Sequence, residues 1–444
     1  MLRKFSVTNY KNFGRKFVLD LGRTRNYSFN ENGVKDGTVN KAVILGKNGS
    51  GKTNLGLALF DIVVTLTDNA FNPLQKDPGS FLNGDSKKAY AEFEYEFMFN
   101  GKVLRYIYRK TAPHMITYEC LSYDDKKVFM CNEGKGDYKG LENLSAGNLR
   151  MNVGNGPLSI VRYVNSNTVQ PKDSPIAFLI GFVERMLYFK TDQNGNGFIG
   201  YGSAESITDY IINNGLIEDF KENLREFASL DMNLESVAFP TGRVLLQTFK
   251  NKKLRFDAVA SSGTSAFMLY YYWKKHFENA SFVYMDEFDV YYNFEMAERI
   301  LKDVISQDGF QTIFTTHNTS LISNSILRPD CYFVINERGV KQSSELTERE
   351  IRAGHNLEKL YLNGEFDEYE RPFRHGRVED GAQVPGKHQE AVRGGVLQRL
   401  FAVSLQHQSA PFYRSMLRRG RFDRGDRYDR CLESMQDQRG SIGS

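Results

Sequence analysis

Gly46-Lys47-Asn48-Gly49-Ser50-Gly51-Lys52-Thr53 follows the run Lys41-Ala42-Val43-Ile44-Leu45 and precedes Asn54-Leu55-Gly56-Leu57-Ala58-Leu59-Phe60. The run reads as a buried strand and the later segment as an amphipathic helix, so the loop is a strand-to-helix connection. It fits the pattern G-x-x-x-x-G-K-[ST]. Its glycines let backbone N–H groups converge on an anion with no Cβ in the way. The helix N-terminus adds partial positive charge at the same point. Together these make a phosphate cradle. The expected nucleotide-binding residues are Gly46, Asn48, Gly49, Ser50, Gly51, Lys52, Thr53 and Asn54. Lys52 is expected to reach the β- and γ-phosphates of ATP, and the Thr53 hydroxyl to ligate Mg2+.

A second stretch supplies carboxylates. Phe282-Val283-Tyr284-Met285 is an apolar strand that ends in Asp286-Glu287. Asp286 is expected to hold Mg2+, directly or through water, and Glu287 to orient and polarise the attacking water. Upstream, Ser261-Ser262-Gly263-Thr264-Ser265 opens an apolar helix and forms a further anion cradle, with hydroxyls in place of a lysine. Downstream, the strand Gln311-Thr312-Ile313-Phe314-Thr315-Thr316 ends at His317, within reach of a γ-phosphate or the attacking water.

Composition sets the outer bounds. The chain has 444 residues, enough for two or three domains, and a formal net charge of +4, too small to argue by itself for nucleic acid. Residues 176–183 form one of the longest apolar stretches, far short of the roughly 18 residues of a membrane span. Cys120, Cys131, Cys331 and Cys431 have no C-x-x-C spacing. A soluble, cytoplasmic protein with no membrane partner is expected.

Before the loop, and between it and the carboxylates, lie antiparallel signals. Residues 2–8 read as a strand, and residues 16–21 are placed to pair with it. Residues 89–97 and 104–109 alternate with period two around Asn100-Gly101, a type I′ hairpin turn. A second hairpin spans residues 116–131, turning at Asp124-Asp125-Lys126-Lys127. Residues 175–189 and 206–228 show helical spacing, and residues 234–239 and 244–249 read as strands. Gly195-Asn196-Gly197-Phe198-Ile199-Gly200 matches G-x-G-x-x-G, but it opens no βαβ unit and reads as a flexible loop.

The order of phosphate loop, small-residue helix start, acidic strand and strand-end histidine resembles the ATP-binding-cassette (ABC) class over residues 2–366. In that class the helix start is the signature motif and serves the opposite protomer's nucleotide. The resemblance therefore implies that Ser261, Ser262, Gly263 and Thr264 act in trans, in a head-to-tail homodimer or higher oligomer. Neither a transporter's membrane part nor a long coiled coil accompanies the head.

Ser-Ser-Gly-Thr as the signature, Asp286-Glu287-Phe288-Asp289, and the segments 327–333 and 356–361 are similar to AAA-type ATPases related to overcoming-lysogenisation-defect (OLD) proteins. That resemblance implies a sensor or scaffold ATPase of bacterial phage defence that controls a separate effector, a nuclease or toxin. No Toprim or H-N-H nuclease pattern is present in this sequence. The sequence departs from the class in having no assignable Q-loop glutamine, and in Val290-Tyr291-Tyr292-Asn293 where small residues are usual. The alternative is a RecF-like DNA-repair ATPase that binds DNA directly.

The expected fold is α/β: an ABC-type P-loop head with an inserted antiparallel β layer and a helical signature subdomain, followed by a C-terminal tail. The expected segments are 1–88 (first part of the head), 89–131 (β insertion), 132–250 (helical or mixed subdomain), 251–366 (second part of the head) and 367–444 (tail). From residue 371 the chain carries thirteen arginines and one lysine. This composition fits a disordered tail. It also fits an arginine-rich arm for nucleic acid or an acidic partner, or an end of different coding origin.

Overall fold

Lys41–Leu45 forms a strand buried along its whole length. It lies inside a seven-stranded sheet ordered Gly195–Gly200, Met186–Asp192, Phe282–Met285, Gln311–Thr316, Lys41–Leu45, Tyr332–Asn336 and Gly339–Gln342. The inner five strands are parallel, and the two edge strands are antiparallel to their neighbours. The parallel strands therefore end along one edge of the sheet, where an open α/β sheet gathers its ligand-binding loops. The phosphate loop, the two carboxylates and the histidine all follow strand ends at that edge. This computed structural model describes residues 1–67, 78–149, 153, 155–192, 195–200, 206–240, 242–336, 338–347 and 351–363. The expected tail, 367–444, lies outside them. No described helix is long and apolar enough to cross a membrane.

A second sheet is wholly antiparallel, in the order Lys135–Asp137, Lys126–Asn132, Met115–Tyr123, Lys102–Ala112, Ala91–Phe99, Leu2–Thr8 and Phe17–Asp20. Asn100 and Gly101 have φ of 49° and 74°, as a type I′ turn requires. Along Ala91–Phe99, Ala91, Phe93, Tyr95 and Phe97 are buried, while Glu92, Glu94 and Glu96 are half-buried on the other face. Register sets Glu92 opposite Arg109 and Glu96 opposite Arg105, with ion pairs of 2.7 and 3.2 Å. The strands expected as a separate insertion thus extend a sheet that begins at the N-terminus.

The helix that leaves the phosphate loop, Lys52–Leu59, contacts both sheets. It is not amphipathic as expected: Leu55, Gly56, Leu57, Ala58 and Leu59 are all buried, because both of its sides are covered. From the antiparallel sheet, the Tyr95 hydroxyl donates to the Ala58 carbonyl at 2.9 Å. From the parallel sheet, the Tyr284 hydroxyl donates to the Lys52 carbonyl at 2.7 Å. The rings of Tyr188 and Tyr284 stack at 5.6 Å and lie against Gly56. Gln311 ties the two sheets directly: its amide accepts from Leu2 N at 3.0 Å and donates to the Leu2 and Val39 carbonyls at 2.9 and 2.8 Å.

The middle of the chain corrects two expectations. Residues 175–189 are not one helix: Pro175–Val183 is helical, and Met186–Asp192 is a strand of the parallel sheet. Met186, Leu187, Tyr188 and Phe189 fit helical spacing because they are buried in succession, as in a strand covered on both faces. Gly195–Gly200 is not a loop either. Its backbone pairs in full antiparallel register with that strand, from Asp192–Gly195 to Leu187–Gly200. The segment expected as a helical or mixed subdomain therefore also lends two strands to the nucleotide sheet.

A Cβ on Gly56 would stand 2.6 Å from the Tyr284 ring and 2.7 Å from the Tyr188 ring. Gly56→Ala is expected to destabilise the chain by about 1–3 kcal/mol, as overpacking a closed core does. Equilibrium urea unfolding measures this, and a wild-type midpoint would mean that the tyrosines yield.

Candidate functional site

Three loops meet at the C-terminal edge of the parallel sheet. Gly51 has φ of 105°, a conformation an L side chain rarely adopts, and a Cβ there would meet the Asn12 amide at 2.5 Å. The helix it opens has no side-chain cap, so its first N–H groups are left for another acceptor. The Ser50 hydroxyl is buried without a hydrogen-bond partner. An unsatisfied hydroxyl in a glycine-shaped loop at an uncapped helix start fits a phosphate group. Asn48 and Gly49 are exposed. Asn54 donates to Asn12 at 2.7 Å, so Asn12 props the loop from outside the motif.

Lys52 Nζ donates to the Gly46 carbonyl at 2.8 Å and lies 2.9 Å from the His317 ring. Burial lowers its pKa, a shift that Glu287 and Asp286 oppose. The Thr53 hydroxyl donates to Asp286 at 2.7 Å. A hydroxyl and a buried carboxylate in contact are hard oxygen ligands of the kind Mg2+ takes alongside phosphate oxygens. Asp286 also accepts from the hydroxyls of Tyr188 at 2.9 Å and Thr315 at 2.8 Å. Glu287 has φ of 48°, rare for a residue with a side chain, and its N–H donates to Thr315 Oγ1 at 2.7 Å. Thr315 therefore holds both acidic residues, and Glu287 lies 3.5 Å from His317.

Lys190, within the strand Met186–Asp192 beside Phe282–Met285, belongs to none of the sequence motifs. Its ammonium is 2.8 Å from Glu287 and 3.4 Å from Asp286. Burial works to raise the Glu287 pKa, but Lys190, with His317 and Lys52, outweighs it and holds the carboxyl below its usual range. Burial likewise works to lower Lys190, and the two carboxylates outweigh it in the opposite sense. Asp289 accepts from Thr316 at 2.7 Å, and burial pushes its pKa up. One sign of Lys190 was present in the sequence: Met186-Leu187-Tyr188-Phe189-Lys190 is an apolar run ending in a charge, as Phe282–Asp286 is.

Lys52, Thr53, Asp286, Glu287 and His317 thus come together within one chain. Ser261–Thr264 form a separate feature. Ser261 caps the helix Ser262–Lys274 by accepting from Thr264 N at 3.2 Å, and the two hydroxyls lie 2.9 Å apart. These hydrogen bonds stay within the helix start, where Ser261 and Ser262 are exposed. Gly263 lies under the Tyr291 carbonyl, which a Cβ would meet at 2.9 Å. Asn293, from the segment that departs from the expected pattern, caps the helix Phe294–Ser306.

No known family description matches the chain, and no curated protein matches it. Among solved structures it is similar to the SMC head domain from Thermotoga maritima, at 15% identity and a TM-score of 0.37, over 77% of this chain and 98% of that one. It is also similar to the Smc head domain with an extended coiled coil bound to the C-terminal domain of ScpA from Pyrococcus furiosus. There the identity is 13% and the TM-score 0.40, over 83% of this chain and 99% of that one. At such distances the fold rests on the strand order itself.

Proposed function

We propose that the chain is an ABC-type ATPase that binds ATP with Mg2+ and hydrolyses it slowly. The observation that carries this reading is the contact between Thr53 and Asp286, with Lys52, Glu287 and His317 packed around it. Bound Mg2+ would supply charge neutralisation at the phosphates. The chain's own residues do the rest. The loop N–H groups and Lys52 bind the phosphate oxygens, and Thr53 and Asp286 hold the cation. Glu287 polarises the attacking water, and His317, already beside both Lys52 and Glu287, orients it toward the γ-phosphate.

The exposed helix start at Ser261 and Ser262 supports a head-to-tail pairing, in which these hydroxyls meet the nucleotide of a second copy. The resemblance to OLD-like ATPases extends the reading to phage defence, with the conformational change passed to a separate effector such as a nuclease. The half-exposed face of Glu92, Glu94, Arg105 and Arg109 is a polar surface suited to a regulated contact.

Lys52→Ala is expected to lose tight ATP binding, whereas Glu287→Gln should keep ATP and lose turnover by about 10²–10⁴-fold. Calorimetry and phosphate release measure the two, and wild-type behaviour of either variant removes its residue from the mechanism. The trans arrangement is checked by mixing. A substitution at Gly263 would disturb Tyr291, so Ser262→Asp is the better probe: it sets a carboxylate facing the partner's phosphates. Mixed with Lys52→Ala, it should recover part of the activity through one intact composite site. No recovery in demonstrated heterodimers would count against the pairing.

An effector in trans should co-purify with the chain, and more firmly with Glu287→Gln, in which ATP stays bound. Absence of any co-purifying gene neighbour, together with ATP-dependent DNA binding by the isolated chain, would favour the RecF-like alternative.

A further inference from the structure

Lys190 lies outside every motif that defines the site, yet its ammonium stands where the site's three loops meet. Phe189 pairs with Met285 in parallel register, so Lys190, still paired to Gly197 within the sheet, stands beside Asp286, which follows its strand's end. Lys190 Nζ is 2.8 Å from Glu287 Oε2, 3.4 Å from Asp286 Oδ2 and 3.5 Å from Thr53 Oγ1. Two of these three oxygens are those assigned to the cation, and the third belongs to the water-polarising glutamate.

Mg2+ takes oxygen ligands at roughly 2.0–2.1 Å. An ammonium ion at these distances draws on the same lone pairs and repels a second positive charge in a half-buried setting where screening is weak. The Lys190 side chain is 19% exposed and that of Asp286 is 0% exposed. The two cations therefore compete for one place, and a lysine's flexible stem lets its charge leave without moving the strand.

We propose that Lys190 is a resident counter-cation of the metal site: in the nucleotide-free chain it neutralises Asp286 and Glu287, and a divalent cation binds only by displacing it. This rests on the assignment of Thr53 and Asp286 under the ATPase reading. Glu287 is then paired until the cation arrives and is released by the same event. Lys190 acts through Glu287 and Asp286 and is a positioning residue.

The test is Mn2+ titration of the full, nucleotide-free chain, read by loss of the free-ion electron paramagnetic resonance signal. Lys190→Met and Lys190→Gln should each bind Mn2+ roughly tenfold to a hundredfold more tightly than wild type, the scale of one charge-assisted contact. Lys190→Arg keeps the charge and should stay near wild type. Adding Asp286→Asn to Lys190→Met should abolish the gain. Two results would overturn the proposal: no gain in the neutral variants up to millimolar Mn2+, or an equal gain in Lys190→Arg. No nucleotide is present, so the outcome stands apart from hydrolysis. Unweakened ATP binding by Lys52→Ala would sink the ATPase reading and leave the Mn2+ result to decide this one.

Discussion

Everything at the site depends on one helix held between two tyrosine-bearing sheets. Lys52–Leu59 is anchored through its own carbonyls, by Tyr284 near its start and Tyr95 near its end. Donation to a backbone carbonyl fixes axial position as well as distance, so the helix cannot slide relative to either sheet. Gly56 admits the rings of Tyr188 and Tyr284 closely enough for this to happen. The same Tyr188 that lies against Gly56 donates to Asp286. A single ring thus links the height of the helix to the aim of the carboxylate, and the Thr53–Asp286 contact follows from packing.

Around that contact the chain gathers basic and acidic side chains. Lys52, Lys190 and His317 face Asp286, Glu287 and Asp289, most of them partly removed from water. Buried carboxylates persist only when their lone pairs are filled, and Asp286 takes donors from Thr53, Tyr188 and Thr315. Thr315 has a double role, donating to Asp286 and accepting the N–H of Glu287. That hydrogen bond helps to hold Glu287 in its left-handed backbone conformation, a cost of order 1–3 kcal/mol met by the surrounding structure.

What could be read from the sequence was local. Gly46–Thr53 between an apolar run and a helix, Phe282–Glu287, and Asn100-Gly101 between alternating strands each rest on backbone sterics or periodicity over a few residues. What could not be read required neighbours distant in the chain. Lys190 is ordinary until parallel pairing sets it beside Asp286. Residues 186–189 looked helical because a strand buried on both faces shows no alternation. The loop helix seemed amphipathic until two sheets covered it. By itself, then, the sequence determined the loop, the strand ends and the chemistry they carry, because conformation there follows from residues in direct succession. Only the tertiary structure decided which strands lie side by side and which charges face one another, because pairing register and burial are properties of contacts between segments that no single segment encodes.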